Sequence, residues 1–469
     1  MKRCTRREFV AAAGRSAALL ALPGCAAGVL ASAGGGRGEK PNIILCMSDD
    51  QGWGDTGYNG HPILKTPHLD AMSREGIRFD RFYAGAPVCS PTRGSCLTGR
   101  HPYRYGIVGA NKGHMRDQET TLAEVLKEEG YATGHFGKWH LGTLTTAIKD
   151  SNRGRPGESA HYAPPWEHGF DVCFSTEAKV PTWNPMIKPG TDGEPYGTHY
   201  WTGPGARATE NLEGDDSRVI MDRVLPFVRD AARAGKPFFA VIWFHAPHLP
   251  CVAGRRLLEM YDQNPYFACI TAMDEQIGRL RKELARSGVA RNTMFWFCAD
   301  NGPEGKKFDG RNGSARMLRG RKRSLHDGGV RVPGLLVWPD RIAAPRPVAV
   351  PCSTSDYFPT VLDALGRGAP AGPEPLDGIS LMPLVDGTMT ERPSPIAFES
   401  GKQVALIDNR FKIYSGDGGK TFELYDLVAD PAESADLAGL KPDVANAMSR
   451  RLDEWRASCR TSRERGRER

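Results

Sequence analysis

Three short apolar runs, each closed by polar residues, constrain the fold of this 469-residue chain more than any other feature. Asn42-Ile-Ile-Leu-Cys-Met47 leads into Ser48-Asp49-Asp50. Phe238-Phe-Ala-Val-Ile-Trp-Phe244 leads into His245-Ala246-Pro247-His248, and Thr293-Met-Phe-Trp-Phe-Cys298 leads, one residue on, into Asp300-Asn301. Continuous apolar runs of this length are expected to be strands buried on both faces, the pattern of a parallel sheet. Ligands of open α/β sheets bind at the carboxyl ends of strands, so the three polar ends are expected to converge on one site.

Helical patterns alternate with these runs. Thr66-Pro67, with Leu69, Met72 and a stop at Gly76, reads as a capped helix with proline at its first position. Thr121 and Glu124 have capping-box spacing, and residues 216–232 carry an apolar stripe interrupted by Pro226, where a kink is expected. The alternation predicts one large α/β domain over residues 38–368, built on a mostly parallel sheet. A Pro/Gly-rich linker follows at 369–375. Short alternating segments then predict a smaller α+β subdomain over 376–458, carrying an antiparallel sheet and a final helix at 444–455. Residues 459–469 read as a basic tail. Residues 150–204, rich in Gly, Pro and aromatics, show no periodicity and are expected to form a functional loop region.

The amino terminus reads as an address. Arg6-Arg7-Glu8-Phe9-Val10 opens a modest apolar stretch followed by small residues, the three parts of an export signal over residues 1–36. The paired arginines resemble a twin-arginine signal, which exports folded proteins to the periplasm or beyond. Cleavage after Ala31-Ser32-Ala33 and a lipid anchor on Cys25 are both open. Arg15 and Pro23 leave no run long enough to span a membrane. Much of the +7 net charge lies at the two ends, so charge makes no case for nucleic acid. The 11 cysteines are odd in number and irregularly spaced, which argues against a disulfide framework. Cys46 and Cys298 are expected to be buried thiols.

Asp49-Asp50 and Asp300-Asn301 offer hard oxygen ligands from two strand ends, a set that suits Ca²⁺ or Mg²⁺ better than zinc. Between them lies Pro87-Val88-Cys89-Ser90-Pro91-Thr92-Arg93, followed by Leu97-Thr98-Gly99-Arg100. With C-x-P-x-R and L-T-G-R at this spacing, the sequence resembles the type I, formylglycine-dependent sulfatases. The resemblance extends through D-D-Q-G-W-G-D from Asp49, T-P-H-L-D from Thr66, G-K-W-H-L-G from Gly137 and H-A-P-H-x-P from His245. It continues with A-D-N-G-P-E from Ala299, G-G-V-R-V-P from Gly328 and E-L-Y-D-L from Glu423.

That resemblance implies an alkaline phosphatase-like fold, a large mixed sheet sandwiched by helices, and a sulfuric ester hydrolase of the arylsulfatase type. It implies that a separate maturation enzyme oxidises Cys89 to Cα-formylglycine. The aldehyde hydrate carries two hydroxyls on one carbon, one to attack sulfur and the other to expel sulfate. The metal set becomes Asp49, Asp50, Asp300, Asn301 and the modified Cys89, usually around Ca²⁺, which polarises the sulfate as a Lewis acid. Arg93 is implied to orient the aldehyde end. Lys138 is implied to hold hydrate and sulfate, with His140 as base in the elimination. The two are expected to point the same way from one extended segment. His248 matches the histidine that contacts sulfate and protonates the leaving oxygen, with His245 as competitor. Lys322 matches the last sulfate-binding lysine, although Arg319, Arg321 and Arg323 crowd it.

The same motifs leave other readings open. Relatives with a similar site cleave phosphonate or phosphate monoesters, and a chain never matured would only bind sulfated glycans. A two-zinc phosphatase fits poorly, because the strand ends lack its histidines. A sulfated carbohydrate is the expected substrate class. Trp166, Trp183, Tyr196, His199, Tyr200 and Trp201 are candidates for stacking on sugar rings, with ordinary loop packing as the alternative.

Overall fold

A computed structural model of the protein describes residues 39–368 and 375–465. The export-type segment with Cys25, most of the linker and the last four residues lie outside them. The three apolar runs form adjacent parallel strands, Thr293–Ala299, Asn42–Ser48 and Phe238–Trp243, in the middle of a ten-stranded sheet. Ala132–Lys138 and Val172–Thr176 extend the parallel block on one side. Antiparallel pairing of Gly334–Val337 with Thr293–Ala299, and of Trp201–Gly203 with Val172–Thr176, makes the sheet mixed.

Every residue of the three central strands is buried, because each face of the sheet has its own core. Ile43, Leu45 and Met47 enter one core with Val241, Trp243 and Trp296. Ile44 and Cys46 enter the other with Ala240, Ile242 and Phe297. Helices Pro67–Glu75, Asp216–Arg233 and Pro265–Arg286 cover the second core. Cys89–Thr98, Leu122–Glu128 and Tyr357–Ala364 cover the first. The result is the expected sheet sandwiched by helices. Thr121 and Glu124 close the predicted capping box, each side chain accepting the other's backbone N–H. Asp216–Arg233 runs through Pro226 as one helix.

The region 150–204 holds more order than its composition predicts. Val172–Thr176 is a five-residue strand of the main sheet, and Trp201 pairs with Ser175. The nine cysteines among the described residues are free thiols, and Cys46 and Cys298 are buried as expected.

The C-terminal part forms the predicted antiparallel sheet, with Ile396–Ser400, Gln403–Ile407, Phe411–Ser415 and Glu423–Asp426 in chain order. The last helix is longer than expected. It spans Pro442–Arg465 and so takes in most of the residues read as a basic tail. The physical reason is tertiary: Cys459 and Ser462 are buried, and Arg104 donates to Ser458 and Ser462. The subdomain is tied to the main domain by a buried ionic cluster. Lys412 Nζ lies 2.9 Å from Asp327 and 2.8 Å from Glu433, all three fully buried or nearly so.

Candidate active site

The strand ends converge as expected. Asp49 and Asp50 leave the Asn42–Ser48 strand, with Asp50 turned into the left-handed region at φ 65°. That turn aims the Asp50 N–H at Asp300 Oδ1, 3.0 Å away, and Asn301 Nδ2 donates to Asp50 Oδ1 at 2.7 Å. Cys89 opens the Cys89–Thr98 helix, whose ten residues are all buried. Its Sγ lies 3.6 Å from Asp49 Oδ1. One ligand atom from each of Asp49, Asp50, Cys89 and His248 falls within 4.8 Å of the others.

Three cations face the three carboxylates. Arg93 is fully buried; it donates to Asp300 Oδ2 at 2.8 Å and to the Lys138 carbonyl at 2.9 Å, and lies 3.4 Å from Asp49. Its guanidinium stacks over Trp243, 5.2 Å from the ring centre. Arg93 thus bridges Asp300 and Asp49 at the edge of the cluster that holds Cys89. Lys138 ends the Ala132–Lys138 strand with Nζ 2.5 Å from Asp49 Oδ2. Lys322 Nζ lies 2.6 Å from Asp50 Oδ1 and 3.5 Å from Glu304.

Of the four basic residues crowded near position 322, only Lys322 reaches the carboxylates. Arg321 donates to the Glu304 and Gly313 carbonyls, Arg323 pairs with Glu304, and Arg319 bonds Tyr425 and the Glu433 carbonyl. Glycines set the Lys322 loop against the strand end. Gly302 N–H donates to Gly329 O, and a Cβ on Gly329 would lie 2.1 Å from Ser324 O and 2.4 Å from Arg321 O.

Hydrogen bonding separates the two histidines that spacing leaves open. His245 is buried between Asp216 Oδ2 at 2.8 Å and Thr176 Oγ1 at 2.8 Å, so both ring nitrogens are used structurally. His248 instead turns Nε2 towards Asp50 Oδ2, 3.6 Å away, while Nδ1 bonds the Leu249 carbonyl. His140 does not continue an extended segment from Lys138 as expected. Its backbone is left-handed at φ 58°; Nε2 bonds Asn111 Oδ1 at 2.9 Å, and the buried Nδ1 has no hydrogen-bond partner among the described residues.

The electrostatics follow from this arrangement. Burial works to raise Asp49, but Lys138, His248, Arg93 and Lys322 outweigh it and hold its carboxyl well below the usual range. Burial, with the Asp49 charge added, pushes Asp300 up to about 7. Burial lowers His248 to about 4, so its imidazole is neutral near pH 7. Burial also pushes the Cys89 thiol up to about 12, against Lys138 and Lys322. An unmodified Cys89 is thus a protonated thiol and a poor nucleophile.

The donor set fits a hard divalent cation. Asp49, Asp50, Asp300 and Asn301 supply oxygens from fully buried side chains, and Asn301 Oδ1 finds no hydrogen-bond donor among the described residues. An unpartnered buried amide oxygen beside three buried carboxylates is an arrangement that a hard cation satisfies.

A sulfatase family model matches residues 41–367. The chain belongs to the sulfatase family. This sulfatase is 34% identical to N-acetylgalactosamine-6-sulfatase of Canis lupus familiaris, over 78% of its own length and 70% of the relative's. It is 31% identical to arylsulfatase A of Homo sapiens, covering 87% and 86% of the two chains. A sulfatase from Pseudoalteromonas sp. shares its fold at a TM-score of 0.75 and 22% identity, over 90% and 91% of the chains. The chain is therefore an enzyme, a sulfuric ester hydrolase.

The other sulfatase motifs are largely scaffolding. Asp55 accepts from Gly52 N, Ser314 N and Tyr266 OH, and so fixes the loop after Asp50. Asp70 accepts from Tyr58 N and Thr66 Oγ1. Two residues near the expected sugar site prove to be core. Tyr200 stacks on Phe174 with ring centres 4.1 Å apart and donates to Asp216, and Trp201 Nε1 donates to Asp150. His199 also bonds Asp150, and Trp183 covers Gly254. Trp166 packs half-buried against the core of the first face. The residue-by-residue reading did not single out Asn111, which holds His140, or Glu304, which contacts Lys322 and Arg323. Glu304 lies inside a quoted motif; Asn111 carries no sequence signal.

Proposed function

We propose that this sulfatase removes sulfate from a sulfated carbohydrate, with Cys89 oxidised to Cα-formylglycine and Ca²⁺, or Mg²⁺, held by Asp49, Asp50, Asp300 and Asn301. The observation that carries the reading is the position of Cys89: buried, 3.6 Å from Asp49, and inside a cluster that Lys138 and Lys322 flank. The relatives named for a sugar sulfate and for aryl sulfates support the substrate class.

The formylglycine hydrate supplies a nucleophilic hydroxyl and a second hydroxyl through which sulfate is later expelled. A bound divalent ion supplies charge withdrawal from the sulfate oxygens. The chain's own residues do the rest. Lys138 and Lys322 grip the sulfate oxygens as fixed positive donors, in a site where burial strengthens each contact. Nδ1–H of His248 donates to the Leu249 carbonyl, which leaves Nε2 bare in the neutral ring. The negative charge of a bound sulfate ester favours protonation at Nε2, from which the proton passes to the leaving oxygen. His140 takes the proton in the elimination, its ring oriented by Asn111. Arg93, in contact with both Asp49 and Asp300, offsets the repulsion between their charges and borders the aldehyde end of Cys89.

The same reading assigns residues 38–368 to catalysis and 376–458 to a supporting subdomain. It places the enzyme outside the cytoplasm, exported by the segment 1–36, with a lipid on Cys25 as an alternative anchor. No helix among the described residues is long and apolar enough to cross a membrane. Its partners are the sulfated substrate and the maturation enzyme that acts on the Cys89 segment. The test is a mass measurement of the native Cys89 peptide together with sulfate release from sulfated oligosaccharides, using Cys89→Ala as blank. An aldehyde and Cys89-dependent release are expected. A native peptide carrying only the thiol in active material overturns the mechanism.

A further inference from the structure

Beside the carboxylate cluster lies a cleft of about 460 Å³, walled by the loop after Asn301, the loop that carries Lys322, and Gln403 from the C-terminal sheet. Lys322 belongs to both places: it lines the cleft, and its Nζ contacts Asp50. The cleft therefore opens directly onto the residues proposed to grip sulfate.

Its lining is cationic in an unusual way. Most basic residues of this stretch are paired: Arg311 with Asp262, Arg319 with Tyr425 and Glu423, Arg321 with two carbonyls, and Arg323 with Glu304. Lys306, Lys307 and Arg316 also line the cleft, and their exposed charged groups have no hydrogen-bond or ion-pair partner among the described residues; only backbone atoms of Lys307 and Arg316 are bonded. The acidic side chains nearby do not serve them. Glu304 is taken by Arg323 and Lys322, and Asp309 accepts the N–H groups of Arg311 and Asn312. Phe308 adds an exposed aromatic face to the same wall.

Three unneutralised like charges around one concavity repel one another and focus a positive potential into it. That arrangement gains nothing for the fold, and it matches an anion brought in from solution. The cavity lies in the size range that holds a small ligand such as a sugar unit.

We infer that this cleft receives a second anionic group of the substrate, a sulfate or carboxylate on the sugar next to the one that loses its ester; the inference rests on the carbohydrate sulfatase reading. Preferred substrates are then polyanionic oligosaccharides rather than singly sulfated sugars. Lys306, Lys307 and Arg316 set this preference without touching the reacting sulfate.

The test compares native enzyme with the Lys306→Ala/Lys307→Ala/Arg316→Ala variant on four substrates. These are nitrophenyl sulfate, a monosulfated neutral disaccharide, its disulfated counterpart, and a monosulfated disaccharide bearing a neighbouring uronate. The variant is expected to raise KM for a doubly anionic substrate roughly tenfold, the scale of one lost charge-assisted contact. Turnover of nitrophenyl sulfate and the neutral disaccharide should not change. Whether the disulfated or the uronate substrate loses more identifies which anion the cleft takes. Equal losses on all four substrates, or none on any, overturn the inference. Calorimetric titration of the disulfated disaccharide into Cys89→Ala protein, with and without the triple change, reads the cleft apart from catalysis. Roughly tenfold weaker binding supports it even if no sulfate ester is cleaved, and equal binding overturns it even if cleavage is robust.

Discussion

Lys322 Nζ sits 2.6 Å from Asp50 Oδ1, which joins two residues 272 positions apart in the chain. Arg319, three residues earlier, turns away to Tyr425 and Glu433. Lys322→Ala should lower kcat/KM on nitrophenyl sulfate by about 10²–10³-fold, the usual loss when one positioned donor to a developing anion is removed. Arg319→Ala should stay within roughly threefold of native. Parallel steady-state assays of the two variants check this.

His245 and His248 should separate by readout. His248→Ala should reduce kcat about 10²-fold or more while leaving urea unfolding unchanged, since its ring faces the carboxylates. His245→Ala should cost about 1–3 kcal/mol of unfolding free energy, because it strips buried partners from Asp216 and Thr176.

Calcium should stabilise the protein after chelation. At about 100 times its dissociation constant, the ion should add roughly 2.7 kcal/mol to unfolding free energy. Asn301→Ala should weaken binding in a calorimetric titration, since its free oxygen is one of the proposed donors. An unchanged titration in Asn301→Ala would remove that residue from the ligand set.

The Lys412 cluster should make the protein sensitive to acid. Burial works against ionisation of Glu433, but Lys412 and His326 hold its carboxyl at about 2, below its usual 4.5. A depressed carboxylate contributes stability that is present above pH 4.5 and is lost as pH falls towards 2. Glu433→Gln should therefore be less stable at pH 7 and show a flatter stability profile over that window. Lys412→Ala should cost about 3–5 kcal/mol, the price of leaving two buried carboxylates without their cation. Urea melts across the pH series give both values.

Gly329→Ala should damage the site from behind. The added methyl would meet the Ser324 and Arg321 carbonyls, and the loop bearing Lys322 would have to move. Overpacking of this kind costs about 1–3 kcal/mol. Activity should fall more than stability, which paired assays and melts would resolve.

The centre of the fold was legible because its strands are buried on both faces. Runs such as 42–47 and 293–298 have no polar side to blur the pattern, and their polar ends mark the site. The strand Val172–Thr176 was not legible. Its five residues mix Val, Cys, Phe, Ser and Thr, and it lies in a Gly/Pro-rich stretch where neither periodicity shows. Tyr200 and Trp201 looked like sugar platforms because composition cannot tell an exposed aromatic from one facing Phe174 or Asp150. His245 and His248 have the same residue type within one motif, and only their partners across the sheet separate them. Helical structure in residues 459–465 depends on Arg104, more than 350 positions away, a contact that local sequence does not encode.

All ten residues from Cys89 to Thr98 are shielded from solvent once the chain has folded. A thiol at the foot of that packed helix is far less open to the active site of a second protein than to a small ester entering at the strand ends. On the proposed maturation of Cys89, the oxidising enzyme would then meet its target most readily before that helix packs, which sets a deadline rather than a location. On the same proposal, a chain that folds first would be well packed and yet inert, its Cys89 sealed in as the unreactive thiol.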